Sequence, residues 1–171
     1  MSNTAGTTAS QLRDGVSVEV RQLAPDDYDA VILLSETLTE RELYLRFFTA
    51  HPGRLDDWAH SLTAQSAHLF AIGAFEAGDL LGVANYAPTQ TPGCAEIAVM
   101  VSHGQHERGV GTLLLATLGR TARANGLDRF VADVLAENFS MLKVITDAGW
   151  PCKRHLDGSV FSVELILAEV L

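Results

Sequence analysis

The sequence holds little cysteine, and the cysteines it has are widely separated. Its 171 residues include only Cys94 and Cys152, with no C-x-x-C pair and no Cys/His spacing suited to zinc. This pattern excludes a zinc finger and a disulfide framework, and it predicts no metal site. Two isolated thiols are typical of a protein from a reducing compartment.

Basic residues and long hydrophobic runs are also scarce. The chain carries 12 Lys and Arg against 21 Asp and Glu, a net charge of −9. Nucleic-acid binding depends on cations that neutralise phosphates, so the composition argues against that class and favours cationic partners such as amines. No apolar run reaches the roughly 18 residues that span a bilayer, and residues 1–15 lack the pattern of a signal peptide. We therefore predict a cytoplasmic protein with no nucleic-acid or membrane partner.

Length and composition predict one globular domain. Apolar residues make up 47% of the chain, enough for a sizeable core. Residues 1–15 are rich in Ser, Thr, Gly and Asn, which predicts a disordered leader. The domain is accordingly expected at residues 16–171, with the choice between a monomer and a homodimer left open.

Hydrophobic periodicity predicts the element order β-α-α-β-β-β-α-β-α-β-β. Strands are expected at 16–23, 68–75, 80–86, 94–101, 130–135 and 160–167, and helices from residue 25, at 40–48, from 110 and at 138–148, with a further helical stretch near 55–62. Thr39 and Glu42 form a capping-box pattern. The order predicts a mixed α/β structure with one sheet and helices on both faces.

The segment from the strand at 94–101 to the helix beginning near residue 110 carries the strongest chemical signal. A strand runs into a turn bearing Gly109 and Gly111, which opens a long helix. Unpaired N–H groups and the dipole at a helix start favour an anion, and glycine lets the backbone approach a ligand closely. The spacing predicts a phosphate or pyrophosphate site, and a plain strand–helix turn is the alternative.

This segment resembles the acetyl-CoA-binding motif of the GNAT superfamily of N-acetyltransferases, Gln/Arg-x-x-Gly-x-Gly/Ala. Gly109 and Gly111 match its small positions, whereas His106 replaces the usual Gln or Arg. The resemblance implies a mostly antiparallel mixed sheet with splayed central strands, and acetyl-CoA as co-substrate. It also implies cofactor contacts from the strand and from the turn with the helix start: Val99, Met100 and Val101, then His106, Glu107, Arg108, Gly109, Val110, Gly111 and Thr112. A side chain on Gly111 is expected to clash with the pyrophosphate and to leave the fold largely intact.

A second segment is similar to a later motif of the same family, Asn-x-x-Ala…Gly-Phe. Asn138 is followed by Gly149-Trp150, and in the family this Asn contacts the cofactor. The alternative is a helix N-cap without ligand contact, and both roles are compatible. The family often places a Tyr seven residues after the Asn, as the acid that reprotonates the thiolate. Ile145 stands there, which leaves the general acid unassigned.

Within the family, two segments resemble the bacterial Pat-type protein lysine acetyltransferases. Residues 39–48, Thr-Glu-Arg-Glu-Leu-Tyr-Leu-Arg-Phe-Phe, are similar to the subgroup's Leu/Tyr-x-Arg-Phe-Phe helix, and Ala-Glu-Ile-Ala-Val at 95–99 is similar to its catalytic strand. The resemblance implies a protein lysine as acceptor, with Tyr44 and Arg46 lining the acceptor entrance. The alternative for the helix is an amphipathic element whose aromatics, Phe47 and Phe48, belong to the core.

Glu96 is the candidate general base on that strand. A carboxylate between Ala95 and Ile97 is costly to bury without a function or a partner. An ammonium acceptor must lose a proton before it attacks a thioester, and a carboxylate can take it. The alternative is a structural ion pair. Three other functions stay open: a small-molecule amine acetyltransferase, a non-catalytic acyl-CoA-binding module, and an interaction domain without ligand.

Overall fold

The computed structural model describes residues 7–49, 52–105 and 107–167, which form one eight-stranded sheet and five α-helices. The strands are β1 (Thr8–Gln11), β2 (Ser17–Gln22), β3 (Phe70–Glu76), β4 (Asp79–Pro88), β5 (Cys94–Val101), β6 (Arg129–Leu135), β7 (Cys152–Asp157) and β8 (Val160–Ile166). The helices are α1 (Tyr28–Glu36), α2 (Glu40–Phe47), α3 (Leu55–Thr63), α4 (Val110–Ala124) and α5 (Phe139–Ala148), with a 3₁₀ turn at Pro25–Asp27 before α1. The mixed α/β class predicted from the sequence is confirmed.

Part of the expected leader belongs to the sheet. Thr8–Gln11 pairs antiparallel with β2 at the sheet edge, and Leu12 just after it is buried in the core. The prediction of a disordered leader at 1–15 is therefore wrong for residues 8–11, because main-chain pairing and one buried leucine outweigh a polar composition. Residues 1–6 lie outside the described residues.

The sheet order is β1-β2-β3-β4-β5-β6-β8-β7, and every neighbouring pair is antiparallel except β5 with β6. That parallel pair is short. It joins Cys94, Ala95 and Glu96 to Arg129, Phe130 and Val131, and the strands then separate. The splayed central strands that the family resemblance implied are thus present, and the gap opens just beyond Glu96.

Helices cover both faces of the sheet. One core cluster gathers α4 and α5 against the sheet, with Leu114, Leu118 and Phe130 fully buried in it. The other gathers α1 and α3 against β3 and β4, around Val31 and Leu62. Burying apolar surface on both sides stabilises the sheet and places its central gap between two groups of helices.

Local sequence signals set the helix boundaries next to the gap. The capping box at α2 forms as predicted, since the Thr39 hydroxyl accepts from the Glu42 amide and the Glu42 carboxylate accepts from the Thr39 amide, both at 3.1 Å. Asn138 caps α5 by accepting from the Met141 amide at 3.1 Å. Gly149 ends α5 in the left-handed conformation, with φ of 76°.

Candidate active site

A cavity of about 950 Å³ lies in the gap between β5 and β6. Its floor includes β5 from Glu96 to Val101, and α5 contributes Asn138, Met141 and Val144 to one wall. The opposite wall is α2, with Glu42, Leu45, Arg46 and Phe48. A cavity of this size between splayed strands, lined by apolar and polar side chains together, suits an organic ligand.

Glu96 lies where the two central strands part. It is the last β5 residue paired with β6, it lines the cavity, and its side chain is exposed. The sequence argument that this carboxylate is buried on an apolar strand is therefore wrong, because the divergence of β6 uncovers it. Glu96 forms no direct ion pair among the described residues, although its charge acts on the buried guanidinium of Arg46. Glu96 faces open space that a substrate can enter.

The rest of β5 borders the cavity with its main chain. Val99, Met100 and Val101 all line it, while the Met100 side chain is buried in the core under α1 and α3. Beyond Glu96 the described part of β6 offers no partner to this strand edge. Main-chain groups there can pair with an amide-bearing ligand.

The turn before α4 has two residues in the left-handed region, Glu107 with φ of 73° and Gly109 with φ of 88°. Gly109 is the N-cap of α4, and no described side chain caps this helix end. The first amides of the helix, from Val110 to Thr112, have no partner within it. Free amides and the helix dipole favour an anion at such a position, so the pyrophosphate site stays a prediction that this helix start is compatible with. His106 lies outside the described residues.

Gly111 differs from the expectation. A Cβ built on it would approach Val144 Cγ2 of α5 to 2.8 Å, and the residue is buried. Its lack of a side chain therefore allows α4 and α5 to pack closely. The expected clash with the pyrophosphate stays a prediction, but a side chain at Gly111 would also displace Val144 of α5 and so would have a cost in packing.

The Arg108 side chain is held by hydrogen bonds within the protein. Its guanidinium donates to Asp14 at 2.7 Å, to Glu76 at 3.1 Å and to Gln105. The hydrogen bonds to Glu76 and to Asp14 raise the pKa of Arg108. This side chain ties the segment after β1 to the β3–β4 turn, and it is not among the described residues that line the cavity.

Asn138 and Ile145 occupy different environments on α5. Asn138 lines the cavity, and its side-chain oxygen Oδ1 accepts from the Met141 amide at the start of α5. The predicted N-cap is therefore present, and a ligand contact is compatible with it. Ile145, at the position where the family often has Tyr, is 1% exposed in the core. It cannot supply a proton at the cavity, and the general acid stays unassigned.

Of the two residues expected at the acceptor entrance, only Arg46 lines the cavity. Its Nε is buried without a hydrogen-bond partner among the described residues, and its guanidinium lies 4.7 Å from the Phe47 ring centroid. Burial lowers the pKa of Arg46 to about 10, against the opposing effect of the Glu96 charge. Tyr44 is exposed and is not among the described lining residues.

The aromatics of α2 divide between core and cavity. Phe47 packs edge-on against Trp58, with ring centroids 5.6 Å apart, as the core reading predicted. Phe48 is 45% exposed and lines the cavity, because it ends α2 in the left-handed conformation. The core interpretation is therefore wrong for Phe48.

Three polar residues of the site, a His–Glu pair and an Asp, were missed from the sequence. His103 Nδ1 lies 2.7 Å from Glu42 Oε1, and both residues line the cavity. Asp133 is exposed on β6 and lines it as well. His103 and Glu42 are far apart in the chain, so no spacing could pair them. Asp133 had a local signal, since it is the one charged residue inside an otherwise apolar strand core.

Sequence comparison identifies the family. The chain matches the Acetyltransferase (GNAT) family over residues 34–150, which includes α2, the whole of β5 and the turn before α4. The chain belongs to the GNAT acetyltransferase family. The GNAT domain of S. lividans PAT has a similar structure, with a TM-score of 0.83 and 27% identity over 94% of this chain and 96% of that one.

More distant GNAT structures share the fold. A cAMP-binding acyltransferase from Mycobacterium smegmatis aligns with a TM-score of 0.66 and 23% identity, over 96% of this chain but 48% of its own length. This GNAT chain thus spans about half of that protein. The putative acetyltransferase yncA from Salmonella typhimurium, solved with acetyl-CoA, aligns with a TM-score of 0.70 and 17% identity over 90% of this chain and 95% of that one. Family membership makes acetyl transfer from acetyl-CoA the activity class of the fold.

Two further observations concern the described residues only. None of their helices is long and apolar enough to cross a membrane. Within 7–49, 52–105 and 107–167, no three His, Cys, Asp or Glu side chains gather so as to hold a metal ion.

Proposed function

We propose that this GNAT protein transfers the acetyl group of acetyl-CoA to a primary amine, a protein lysine, with Glu96 as general base. The observation that carries the proposal is the place of Glu96. It is a solvent-open carboxylate at the point where β5 and β6 part, inside the cavity that runs along both strands. An amine bound in this cavity can therefore reach the carboxylate beside the edge of β5.

The cofactor is proposed to lie along that edge. The amides of residues 106–112 would hold the pyrophosphate at the start of α4, and the main chain of Val99, Met100 and Val101 would pair with the pantetheine amides. Asn138 would contact the cofactor from α5. The uncapped start of α4 and the unpaired edge of β5 support this arrangement.

Acetyl-CoA supplies the activated thioester. In the proposed reaction Glu96 accepts a proton from the ammonium, and the nitrogen lone pair forms a bond to the carbonyl carbon as the carbon–sulfur bond breaks. The thiolate leaves with the electron pair, and the second proton that the nitrogen loses on becoming an amide reaches the thiolate through a group not yet assigned. A main-chain N–H of β5 is proposed to polarise the carbonyl.

The acceptor assignment has independent support. The net charge of −9 favours a cationic partner, and the segment at 39–48 is similar to the Pat-type helix. The structural similarity to the GNAT domain of S. lividans PAT points in the same direction. Arg46, whose buried Nε lacks a partner among the described residues, is proposed to contact the acceptor. Tyr44 stays a candidate at the rim.

One observation favours a second candidate, a non-catalytic acyl-CoA-binding module. Ile145 is buried where the family often has a Tyr, so the site lacks that proton donor. Such a module would bind acetyl-CoA and would acetylate no acceptor. The experiment below separates it from an enzyme.

The test is turnover of Glu96→Gln on lysine peptides. General-base catalysis is typically worth about a hundredfold to ten-thousandfold, so we expect a loss of this order, with acetyl-CoA affinity by calorimetry unchanged. The loss should shrink at high pH, where free amine is abundant. Glu36→Gln, an exposed Glu on α1, is the control. Near-wild-type turnover of Glu96→Gln would eliminate Glu96 as the base, and turnover confined to free small amines would point to a small-molecule enzyme.

A further inference from the structure

One face of the outer sheet is not covered by any of the described helices. In β6 and β8 the residues Ala132, Val134, Val163 and Leu165 point into the core under α4 and α5. The alternate residues point away from it, and α1, α2 and α3 pack on β3, β4 and β5 instead. We call this opposite side of β6, β8 and β7 the open face, formed by Val131, Asp133, Lys153, His155, Ser162 and Glu164.

The open face is continuous with the active-site cavity. It carries a groove of about 400 Å³ that shares Glu96, Ala132 and Asp133 with the main cavity. A chain lying in this groove can therefore direct one side chain to Glu96 without entering under α2.

Strand register arranges the charges of the open face in two rows. Glu96 lies opposite Val131, Val131 opposite Glu164, and Glu164 opposite Lys153. In the second row Asp133 lies opposite Ser162, and Ser162 opposite His155. Both rows thus begin with a carboxylate at the cavity and end with a basic residue at the β7 edge.

The two ends of these rows, at the cavity and at the β7 edge, differ from the middle in that their charges have no ion-pair partner among the described residues. Glu164 accepts from Arg129 at 3.3 Å, which neutralises the middle of the first row. Asp133 accepts only a long hydrogen bond from the Ser162 hydroxyl, at 3.4 Å, among the described residues. Lys153 is exposed and forms no ion pair with them. The open face therefore presents a free negative end beside Glu96 and a free positive end on β7.

We propose that the open face binds the acceptor segment, with the target lysine at Glu96 and Asp133 and an acidic residue of the same segment at Lys153 and His155. This inference rests on the proposed function. The carboxylate end and the basic end of each row are two or three strand spacings apart, which is about 10–14 Å. An extended chain advances about 3.3 Å per residue, so the acidic residue lies three or four positions from the lysine.

The experiment compares peptides with a single lysine that carry Glu, Gln or Arg three or four positions away, on either side. We expect the Glu peptide to have the highest kcat/KM, by about two- to fivefold over Gln, the range of an exposed ion pair. Lys153→Glu should reverse the order and make the Arg peptide preferred. Lys143→Glu, on α5 and paired with Asp147, is the matched control and should keep the wild-type order.

The outcomes separate this inference from the function on which it rests. If acetylation depends on Glu96 but kcat/KM is the same for the Glu, Gln and Arg peptides, the proposed docking surface is wrong and the proposed acetyltransferase activity still stands. Amide shifts along β6, β8 and β7 on titration of the Glu peptide into Glu96→Gln would support the surface independently of turnover, and shifts that spare β7 and β8 would count against it. A homodimer in sedimentation that Lys153→Glu dissociates would overturn the inference, since a second copy would then occupy the face.

Discussion

Gly111 in α4 packs so closely on Val144 of α5 that a side chain at Gly111 could be accommodated only if Val144 moved. A Cβ at Gly111 would lie 2.8 Å from Val144 Cγ2. Gly111→Val should therefore destabilise the fold by about 1–3 kcal/mol, the usual cost of overpacking a core. Chemical denaturation measures the loss.

Val144→Ala supplies the control for that prediction. In the double variant the smaller side chain should accommodate the new one, so the two effects on the free energy of unfolding should couple favourably by about 0.5–3 kcal/mol. Strictly additive effects would contradict the contact. It follows that weak cofactor binding by a Gly111 variant alone is no proof of a pyrophosphate clash.

The turn before α4 offers a cleaner test of the proposed pyrophosphate site. Gly109 has φ of 88°, a conformation that costs most side chains about 1–2 kcal/mol. Gly109→Ala should weaken acetyl-CoA binding, because the turn must change shape to relieve this strain. Gly109→Asn should bind better than Gly109→Ala, since Asn tolerates the left-handed region. Calorimetric titration of both variants is the measurement.

Arg108 provides the contrast to Gly109. Its guanidinium is held by Asp14, Glu76 and Gln105, away from the cavity. Arg108→Gln should therefore keep the acetyl-CoA affinity and instead loosen the segment after β1, detectable as faster amide exchange at residues 8–15. A large loss of acetyl-CoA affinity with unchanged amide exchange would indicate instead that Arg108 contacts the cofactor.

A substitution of Arg46 should affect acceptor binding without lowering the stability of the fold. Its buried Nε has no partner among the described residues, so Arg46→Met removes an unsatisfied donor from a desolvated site. The unfolding midpoint should stay equal or rise, while the KM for the acceptor rises and acetyl-CoA affinity is unchanged. Arg54→Met, at a side chain that is 85% exposed, is the control. A fall in kcat alone would instead assign Arg46 to the chemical step.

Asp27 makes the stability of the fold depend on pH. Hydrogen bonds from Arg21, at 2.8 and 2.9 Å, and from the Ala24 amide lower the pKa of Asp27. Because the folded pKa lies below the unfolded value of about 3.9, this contribution is complete above that pH and is lost as the pH falls through the folded pKa.

Asp27→Asn should therefore cost about 1.5–3 kcal/mol at pH 7, the range for hydrogen bonds to charged groups. The difference from wild type should shrink below about pH 4. Urea denaturation at both pH values measures it, with the exposed neighbour variant Asp26→Asn as control. A difference that is constant with pH would show that Asp27 contributes no charge-dependent stability.

Much of the fold could be predicted because its signals are local. The alternation at residues 94–101, the capping box of Thr39 with Glu42 and the Asn138 and Gly149 boundaries of α5 all depend on neighbours within a few positions. β1 was missed, since its residues carry no strand pattern and pair only because β2 presents an edge. The strand expected between α5 and β8 had no predicted bounds for a related reason, because all six residues of β7 are exposed.

The candidate site likewise combines features that the local sequence predicts with features that depend on contacts between distant segments. By itself the sequence determined β5, the glycine turn, the cap of α5 and Glu96 as the carboxylate to examine. Only the tertiary structure decided that Glu96 is open to solvent, that Gly111 packs on Val144 and that Arg108 holds the β1 segment. It alone aligned Glu96 with Lys153 across four strands. Hydrophobic period and capping act over one or two turns of chain, whereas register and splay are set by contacts between segments that the chain brings together only on folding.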